Sequence, residues 1–353
     1  MVVQIRVRMG RLSGTEASSV ARFEAPGGIR AYRIPLRAFP SLDAYAYVVL
    51  AQGLATLIDV GSGFDLSNQD LLDGFATIRD EFREPIRLGD IDQILITHGH
   101  VDHYGGLTFV LGRCDAPVGV HELDLKVLIN YDERLAITAK ELRQFLVQAG
   151  IDEVKLTEIM AMYHWGKGRF RSIDVELTFE EIGMVWGPFR FTHVPGHCPG
   201  QVVIQLEDLL FTADHVLSRS TPHQSPETIV HYTGLGHYLE SLQVVRHVSG
   251  VRLGLGGHED PIEDILARAD EISQMHFERI GKILGMLRTP MTVADVSSEL
   301  FGKVEGYNQL LALEEAGAHV EYLLQRGRIG IENIDEVAGD EAKEVPIRYQ
   351  GLE

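Results

Sequence analysis

The chain has 353 residues, 45% of them apolar, enough for one large core with a smaller appended unit and ordinary for a globular protein. Its 32 basic residues stand against 51 acidic ones, and the net charge of −19 repels polyanions at long range, which disfavours nucleic acid as a partner. The two cysteines, Cys114 and Cys198, are too few for a disulfide framework, and no run approaches the ~18 uninterrupted apolar residues of a membrane span.

Met1 to Arg8 alternates polar and apolar residues instead of presenting the apolar centre of a signal peptide, so it reads as an edge strand of a cytoplasmic protein. Residues 44–49, 54–59, 91–97 and 118–121 are rich in β-branched or apolar residues and bounded by Gly, Asp or Pro, which predicts strands, and Asn68 to Phe82 has helical texture. Residues 189–194, 202–206, 209–213 and 251–255 repeat the strand pattern, so the class is α/β. Between the two sets, from about 124 to 172, Leu135, Ala139, Leu142, Leu146, Val154, Ile159 and Met162 recur at helical spacing and predict two or three inserted helices. The end of that insertion combines Tyr163, Trp165, Lys167, Arg169 and Arg171 with two glycines. This is the composition of a mobile loop facing substrate, with an aromatic-anchored helix end carrying solvated cations as the alternative.

From Ile262 the texture turns helical. Ile265, Ala269, Ile272, His276, Ile280 and Leu284 share one face of an amphipathic helix running to Leu287. Thr289-Pro290-Met291-Thr292 then breaks and caps, with helices predicted over Val293 to Phe301 and Gln309 to Gln325 and a short strand over Arg328 to Glu332. Between Thr292 and Glu332, Lys303, Arg326 and Arg328 face seven carboxylates, the reverse of a phosphate-binding surface. Residues 333–353 are polar and acidic, and a loosely ordered end is expected.

The chemistry concentrates in Thr97-His98-Gly99-His100-Val101-Asp102-His103, a short loop delivered by the apolar run Ile91 to Ile96 and followed by Gly105-Gly106. Three neutral imidazoles and a carboxylate are the donors that a borderline divalent ion such as zinc takes. Single candidate ligands follow: His197 in Pro195-Gly196-His197-Cys198, Asp214 in Phe211-Thr212-Ala213-Asp214, and His258 in Gly256-Gly257-His258-Glu259. Each stands just past a predicted strand, whose rigidity fixes the root of its loop. These residues point to a metallohydrolase. Of the other ten histidines, only His215, beside Asp214, has a natural place behind the ligands; Cys198 reads as a small buried thiol.

The order and context of these segments resemble the metallo-β-lactamase superfamily, in its glyoxalase II-like branch with the T-H-x-H-x-D-H signature, over about residues 30 to 262. The resemblance implies an αβ/βα sandwich with metals in a cleft along one edge. It implies two divalent ions, zinc foremost with iron or manganese as alternatives: His98, His100 and His197 on the first, Asp102, His103 and His258 on the second, and Asp214 bridging. Asp59, in Leu57-Ile58-Asp59-Val60-Gly61, would lie under the loop and accept from a ligating imidazole. The implied activity is hydrolysis of a small ester, thioester, lactone or related acyl substrate by a metal-bridging hydroxide, with Asp102 and Asp214 as the catalytic carboxylates. Mononuclear iron persulfide dioxygenases, RNA endonucleases and non-catalytic metal-binding regulators are the alternatives.

By the same resemblance, residues 1–262 form the catalytic domain, with the helical insertion at about 124–172. Residues 263–353 form a winged-helix-like domain with an acidic tail, expected to close one side of the cleft or to make a homodimer contact. Tyr163, Trp165, Lys167, Arg169 and Arg171 are candidate contacts for a small-molecule substrate. The chain departs from the family pattern at Ala213 and Glu259, where glycines are usual, and Glu259 is expected to add negative charge at the cleft rim.

Overall fold

Alternation with period two builds a sheet with two different apolar faces. In the strand Leu42–Ala51, Ala46 and Val48 point to one core while Tyr47, Val49 and Ala51 point to another. The computed structural model describes residues 8–10, 19–40, 42–175, 177–339 and 345–352; the expected edge strand over Met1 to Arg8 lies, except for Arg8, outside them. Among the described residues the first sheet holds eight strands in sequential order. They are β1 (Arg8–Gly10), β2 (Val20–Ala25), β3 (Ile29–Phe39), β4 (Leu42–Ala51), β5 (Leu54–Ile58), β6 (Gln93–Leu95), β7 (Val118–Val120) and β8 (Leu177–Thr178). β1 to β5 pair antiparallel, and β5 to β8 run parallel, with Leu57 opposite Ile94.

The second sheet is formed by β9 (Val185–Trp186), β10 (Phe189–His193), β11 (Val202–Leu206), β12 (Leu209–Ala213) and β13 (Leu253–Gly256), in the spatial order β13-β12-β11-β10-β9. Its Phe189, Phe191, Val202, Ile204, Leu209, Phe211, Leu253 and Leu255 meet Phe23, Ala31, Tyr47, Val49, Ile58 and Leu95 of the first sheet in one buried cluster. The outer face of the first sheet is covered by α1 (Asp65–Asp80), whose Leu71, Phe75 and Ile78 are buried with Ile34 and Leu36. Gly74 lets this helix press onto the sheet, since a Cβ there would come within 2.3 Å of Ile34. α2 (Val101–Tyr104), α3 (Leu107–Leu111) and α4 (Glu122–Ile129) complete that side.

On the second sheet's outer face lie α5 (Tyr131–Gln148), α6 (Glu153–Lys167), α7 (Leu235–Val245), α8 (Ile265–Met286), α9 (Val293–Phe301) and α10 (Tyr307–Gln325). Leu142, Ile159, Leu242, Ile272, Val296, Leu313 and Val320 belong to one continuous cluster with Val203 and Leu210 of the sheet. The architecture is therefore the expected four-layer αβ/βα sandwich with a helical C-terminal region. No helix among the described residues is long and apolar enough to cross a membrane.

Several expectations need correction. The stretch from Tyr163 is helical through Lys167, not a loop, because α6 continues to a cap at Gly168, whose N–H donates to the carbonyl of His164. The tail does not simply fray: after β14 (Ile329–Ile331) and α11 (Ile334–Val337), β15 (Tyr349–Gly351) returns to pair with β14. Arg348 holds that return by pairing with Glu332 and Glu336, a long-range contact that an acidic composition conceals. β2, β3 and α7 add to the elements expected from the sequence.

Candidate metal centre

All the candidate ligands follow the carboxyl ends of strands, in loops or, for Asp102 and His103, in the first turn of a helix. Asp59 follows β5, His98 to His103 follow β6, His197 follows β10, Asp214 follows β12 and His258 follows β13. The first three residues of α2 are Val101, Asp102 and His103, with His100 as its N-cap, so one helical turn spreads His100, Asp102 and His103 around a common point.

The seven candidates converge. Ring centroids lie 4.7 Å apart for His98 and His100, 4.5 Å for His100 and His197, 4.1 Å for His98 and His103, and 5.5 Å for His103 and His258. One Asp214 oxygen is 4.0 Å from His98 Nε2, 3.6 Å from His197 Nε2 and 3.2 Å from His258 Nε2, while the other is 3.5 Å from His103 Nε2. Asp102 lies 3.6 Å from His103 Nε2 and 3.5 Å from His258 Nε2. Three overlapping groups result, each compact enough to hold an ion: His98, His100 and His197; His98, His103 and Asp214; Asp102, His103 and His258.

The far side of four of the rings is held, which leaves Nε2 facing inward. His103 Nδ1 donates to Asp59 Oδ2 at 2.8 Å, His197 Nδ1 to the carbonyl of His223 at 2.7 Å, His258 Nδ1 to the carbonyl of Asp43 at 2.5 Å, and His98 Nδ1 to Thr97 Oγ1 at 3.1 Å. Asp59 also accepts from the N–H and the hydroxyl of Thr97, both at 2.8 Å, so one buried carboxylate fixes the loop and a ring together. This is the usual way in which outer partners select a ligand's tautomer.

These donors fit a cation. Nε2 of His98, His103 and His197 and Oδ1 of Asp214 are buried without a hydrogen-bond partner, and an orphaned buried polar atom costs roughly 1–3 kcal/mol. A divalent ion would satisfy them at once. At His98 and His100 burial and neighbouring imidazoles hold the pKa well below the ordinary value, keeping the lone pairs free. At His103 burial is outweighed by Asp214, Asp102 and Asp59, which raise it to about 10, and at His258 burial is outweighed by Asp214 and Asp102. Burial likewise loses at Asp102 and Asp214, which the facing rings hold below the carboxylate range. This half of the site draws in positive charge, which a metal ion would supply in place of protons.

Gly257 is part of the cradle, since a Cβ there would come within 2.4 Å of Asp214 Oδ1 and 2.6 Å of the His103 ring. Gln201, with its amide oriented to satisfy the donors, accepts from the N–H groups of Asp214 at 3.0 Å and His215 at 2.8 Å. Sequence reasoning missed Asp124. Fully buried on α4, it accepts from the N–H of Gly99 at 2.7 Å and of Gly200 at 2.9 Å, and takes the Cys198 thiol at 3.4 Å. It thus ties the first histidine loop to the His197 loop, whereas an acid in the first turn of a helix reads from sequence as an ordinary cap.

The remaining candidates scatter. His215 is buried, with its ring 5.2 Å from Tyr238 and neither nitrogen partnered. Tyr163 is buried in the helical core, and Trp165 is 70% exposed with Arg169 stacked 4.5 Å over it. Arg171 folds back on the carbonyls of Gly168 and Phe170. Lys167 is half-buried and couples to the site: burial lowers its pKa while Asp102 and Glu314 oppose that. Glu259 is not a free charge at the rim. It accepts from the N–H of Arg219 at 2.6 Å and the hydroxyl of Ser220 at 2.7 Å and so anchors that loop.

Comparison with known proteins bears on this geometry. The family model described as "Metallo-beta-lactamase superfamily" matches residues 41–248. "Probable metallo-hydrolase YqjP" of Bacillus subtilis (strain 168) is 22% identical over 304 residues, 83% of this chain and 91% of that protein. "Probable metallo-hydrolase YybB" of the same organism is 29% identical over 136 residues, 38% of this chain, and the match spans only 50% of YybB. Among solved structures, the metallo-beta-lactamase family protein TTHA1429 from Thermus thermophilus superposes with a TM-score of 0.71 at 24% identity, covering 91% of this chain and 98% of that one. A beta-lactamase domain protein from Burkholderia ambifaria gives 0.70 at 20% identity, with 98% of each chain covered. The two structures speak for the fold alone.

Proposed function

The chain belongs to the metallo-beta-lactamase superfamily, a metallo-hydrolase family with His/Asp clusters here that can bind metal, and from that premise we propose that it is a binuclear, zinc-dependent hydrolase of a small ester, thioester, lactone or related acyl substrate. The observation that carries the two-ion reading is Asp214, whose two oxygens lie within 4.0 Å of four imidazoles from both halves of the donor set. His98, His100 and His197 would hold one ion and Asp102, His103 and His258 the other, with Asp214 between them. Such a pair supplies a nucleophile from water at neutral pH and polarises the substrate carbonyl.

The chain's own residues do the rest. Asp59 and the carbonyls of His223 and Asp43 keep three rings aimed inward. Asp102 presents its carboxylate to the His103 and His258 pair and offers the acceptor that orients an attacking water. We assign Lys167 to an anionic group of the substrate, and leave Tyr163, Trp165, Arg169 and Arg171 to the frame around it. We further take residues 1–262 as the catalytic unit, 263–353 as a helical unit that backs it, and the cytoplasm as its setting.

Elemental analysis of the purified protein tests the reading directly. Two zinc equivalents per chain are expected, with hydrolysis of members of an acyl-ester and thioester panel that Asp214→Ala abolishes. One tightly held iron, with oxygen consumed on persulfide substrates, would overturn it in favour of a dioxygenase.

A further inference from the structure

His197 is oriented by a carbonyl that no regular element holds. From Asp214 to Gly234 the chain has neither helix nor strand, and the His223 carbonyl that receives the His197 Nδ1–H at 2.7 Å lies in the middle of that stretch. Its support comes from α10. The N–H of Gln224, which belongs to the same planar peptide group as the His223 carbonyl, donates to Glu315 Oε2 at 2.8 Å. Glu314, the neighbour of Glu315, takes the His223 ring through Nε2 at 2.9 Å.

We propose that Glu315 is a positioning residue for the metal centre. Its carboxylate, acting through the 223–224 peptide, orients His197 and so couples the C-terminal helices to metal affinity; the proposal rests on the reading of His197 as a metal ligand. A carboxylate on the N–H of a peptide group polarises the carbonyl on its other side and strengthens that carbonyl as an acceptor. The arrangement extends the carboxylate–histidine–metal pattern by one peptide.

Glu315 is equipped for this role. It is 8% exposed, and the guanidinium of Arg279 on α8 pairs with its other oxygen. The carbonyl of Glu315 accepts from His319 Nδ1 at 2.7 Å, and His319 Nε2 lies 3.1 Å from His276 Nδ1 on α8. His276, Glu315 and His319 are close enough together to resemble a further metal site. The oxygens of Glu315 are committed to Gln224 and Arg279, however, so the cluster reads as the anchor of the relay.

The test uses full-length protein, with zinc affinity measured by competition against a chromophoric chelator and melting temperature recorded in parallel. Glu315→Ala should weaken one of the two zinc equivalents by about tenfold or more, and Glu315→Gln, which keeps an acceptor for Gln224 but not the charge, should fall between it and the parent. Leu313→Ala, which cuts back a buried apolar side chain of α10 that makes none of the relay's hydrogen bonds, should lower the melting temperature without changing either affinity. If Glu315→Ala fails to fold, Glu315→Gln decides alone, and its cobalt-substituted form should have an altered visible spectrum. Unchanged zinc affinity and cobalt spectrum in the Glu315 variants, or losses that Leu313→Ala matches, would overturn the proposal. His197→Ala separates the two readings. If it loses one zinc equivalent while the Glu315 variants lose none, only the relay falls; if it keeps both, the ligand assignment falls and takes the relay with it.

Discussion

At the scale of single residues, Asp59 orders the first histidine loop and one of its rings together. One carboxylate serves the Thr97 N–H, the Thr97 hydroxyl and His103 Nδ1, each at 2.8 Å. Its own backbone sits at φ 56, a left-handed conformation tolerated by aspartate better than by most residues. Replacing it by alanine strands three buried donors and lets the His103 ring turn. Asp59→Ala should therefore lower the affinity for one metal equivalent by roughly 10–100-fold, read by chelator competition; an unchanged affinity would leave Asp59 a purely structural group. The two departures from the family pattern find an explanation at this scale as well. Ala213 and Glu259 both adopt positive φ, 46 and 65, which is where a glycine would be free of strain. Glu259 gains in return the hydrogen bonds to Arg219 and Ser220.

At the scale of elements, the packing of α8 on α10 places two imidazoles out of water. His276 and His319 are fully buried, with Tyr238 against the His276 ring and Glu315 and Arg279 beside them. Burial lowers His319 and brings His276 to about 3, although Glu315 pulls the other way at both. The folded chain therefore refuses protons that the unfolded chain accepts near the ordinary imidazole value of about 6.5. Their contribution to stability is complete above that pH and is lost as pH falls below it, toward about 3 for His276, by at most about 1.4 kcal/mol per pH unit for each ring. Melting temperatures from pH 8 to pH 5 should thus fall more steeply for the wild-type protein than for His276→Gln. Parallel curves would remove His276 from the acid response.

At the scale of the whole molecule, the C-terminal helices share a core with everything on the second sheet's outer face. Leu310, Leu313, Val320 and Leu323 of α10 are buried in the same cluster as Leu142, Ile159 and Leu242. Removing them would bare that cluster, and exposed apolar patches of such extent drive association. Truncation after Pro261 should give aggregation in light scattering and loss of bound metal, whereas a soluble, metal-loaded fragment would make the catalytic unit independent. The site's legibility followed the same division. The loop from Thr97 to His103, with His197, Asp214 and His258, could be picked out because ligand chemistry demands particular residue types, and strands ending in glycine-rich turns mark where they stand. The stretch from Tyr163 to Arg171 misled, because composition does not say whether a helix has ended.

What the amino-acid order determined by itself was local and chemical: the alternation that makes β4 and β11 two-faced, the cap at Thr292, and a donor set fit for divalent metal. What only the tertiary structure decided was which distant groups support that donor set and which one brings the tail back. Asp124 reaches Gly99 and Gly200, Glu315 reaches the peptide behind His197, and Arg348 draws the tail back onto β14, across separations of 25, 76, 91 and 16 residues. Each of these is an ordinary polar residue whose role depends on the neighbours that folding brings to it. A buried carboxylate must find donors wherever the fold places them, and no local pattern in the sequence records that choice.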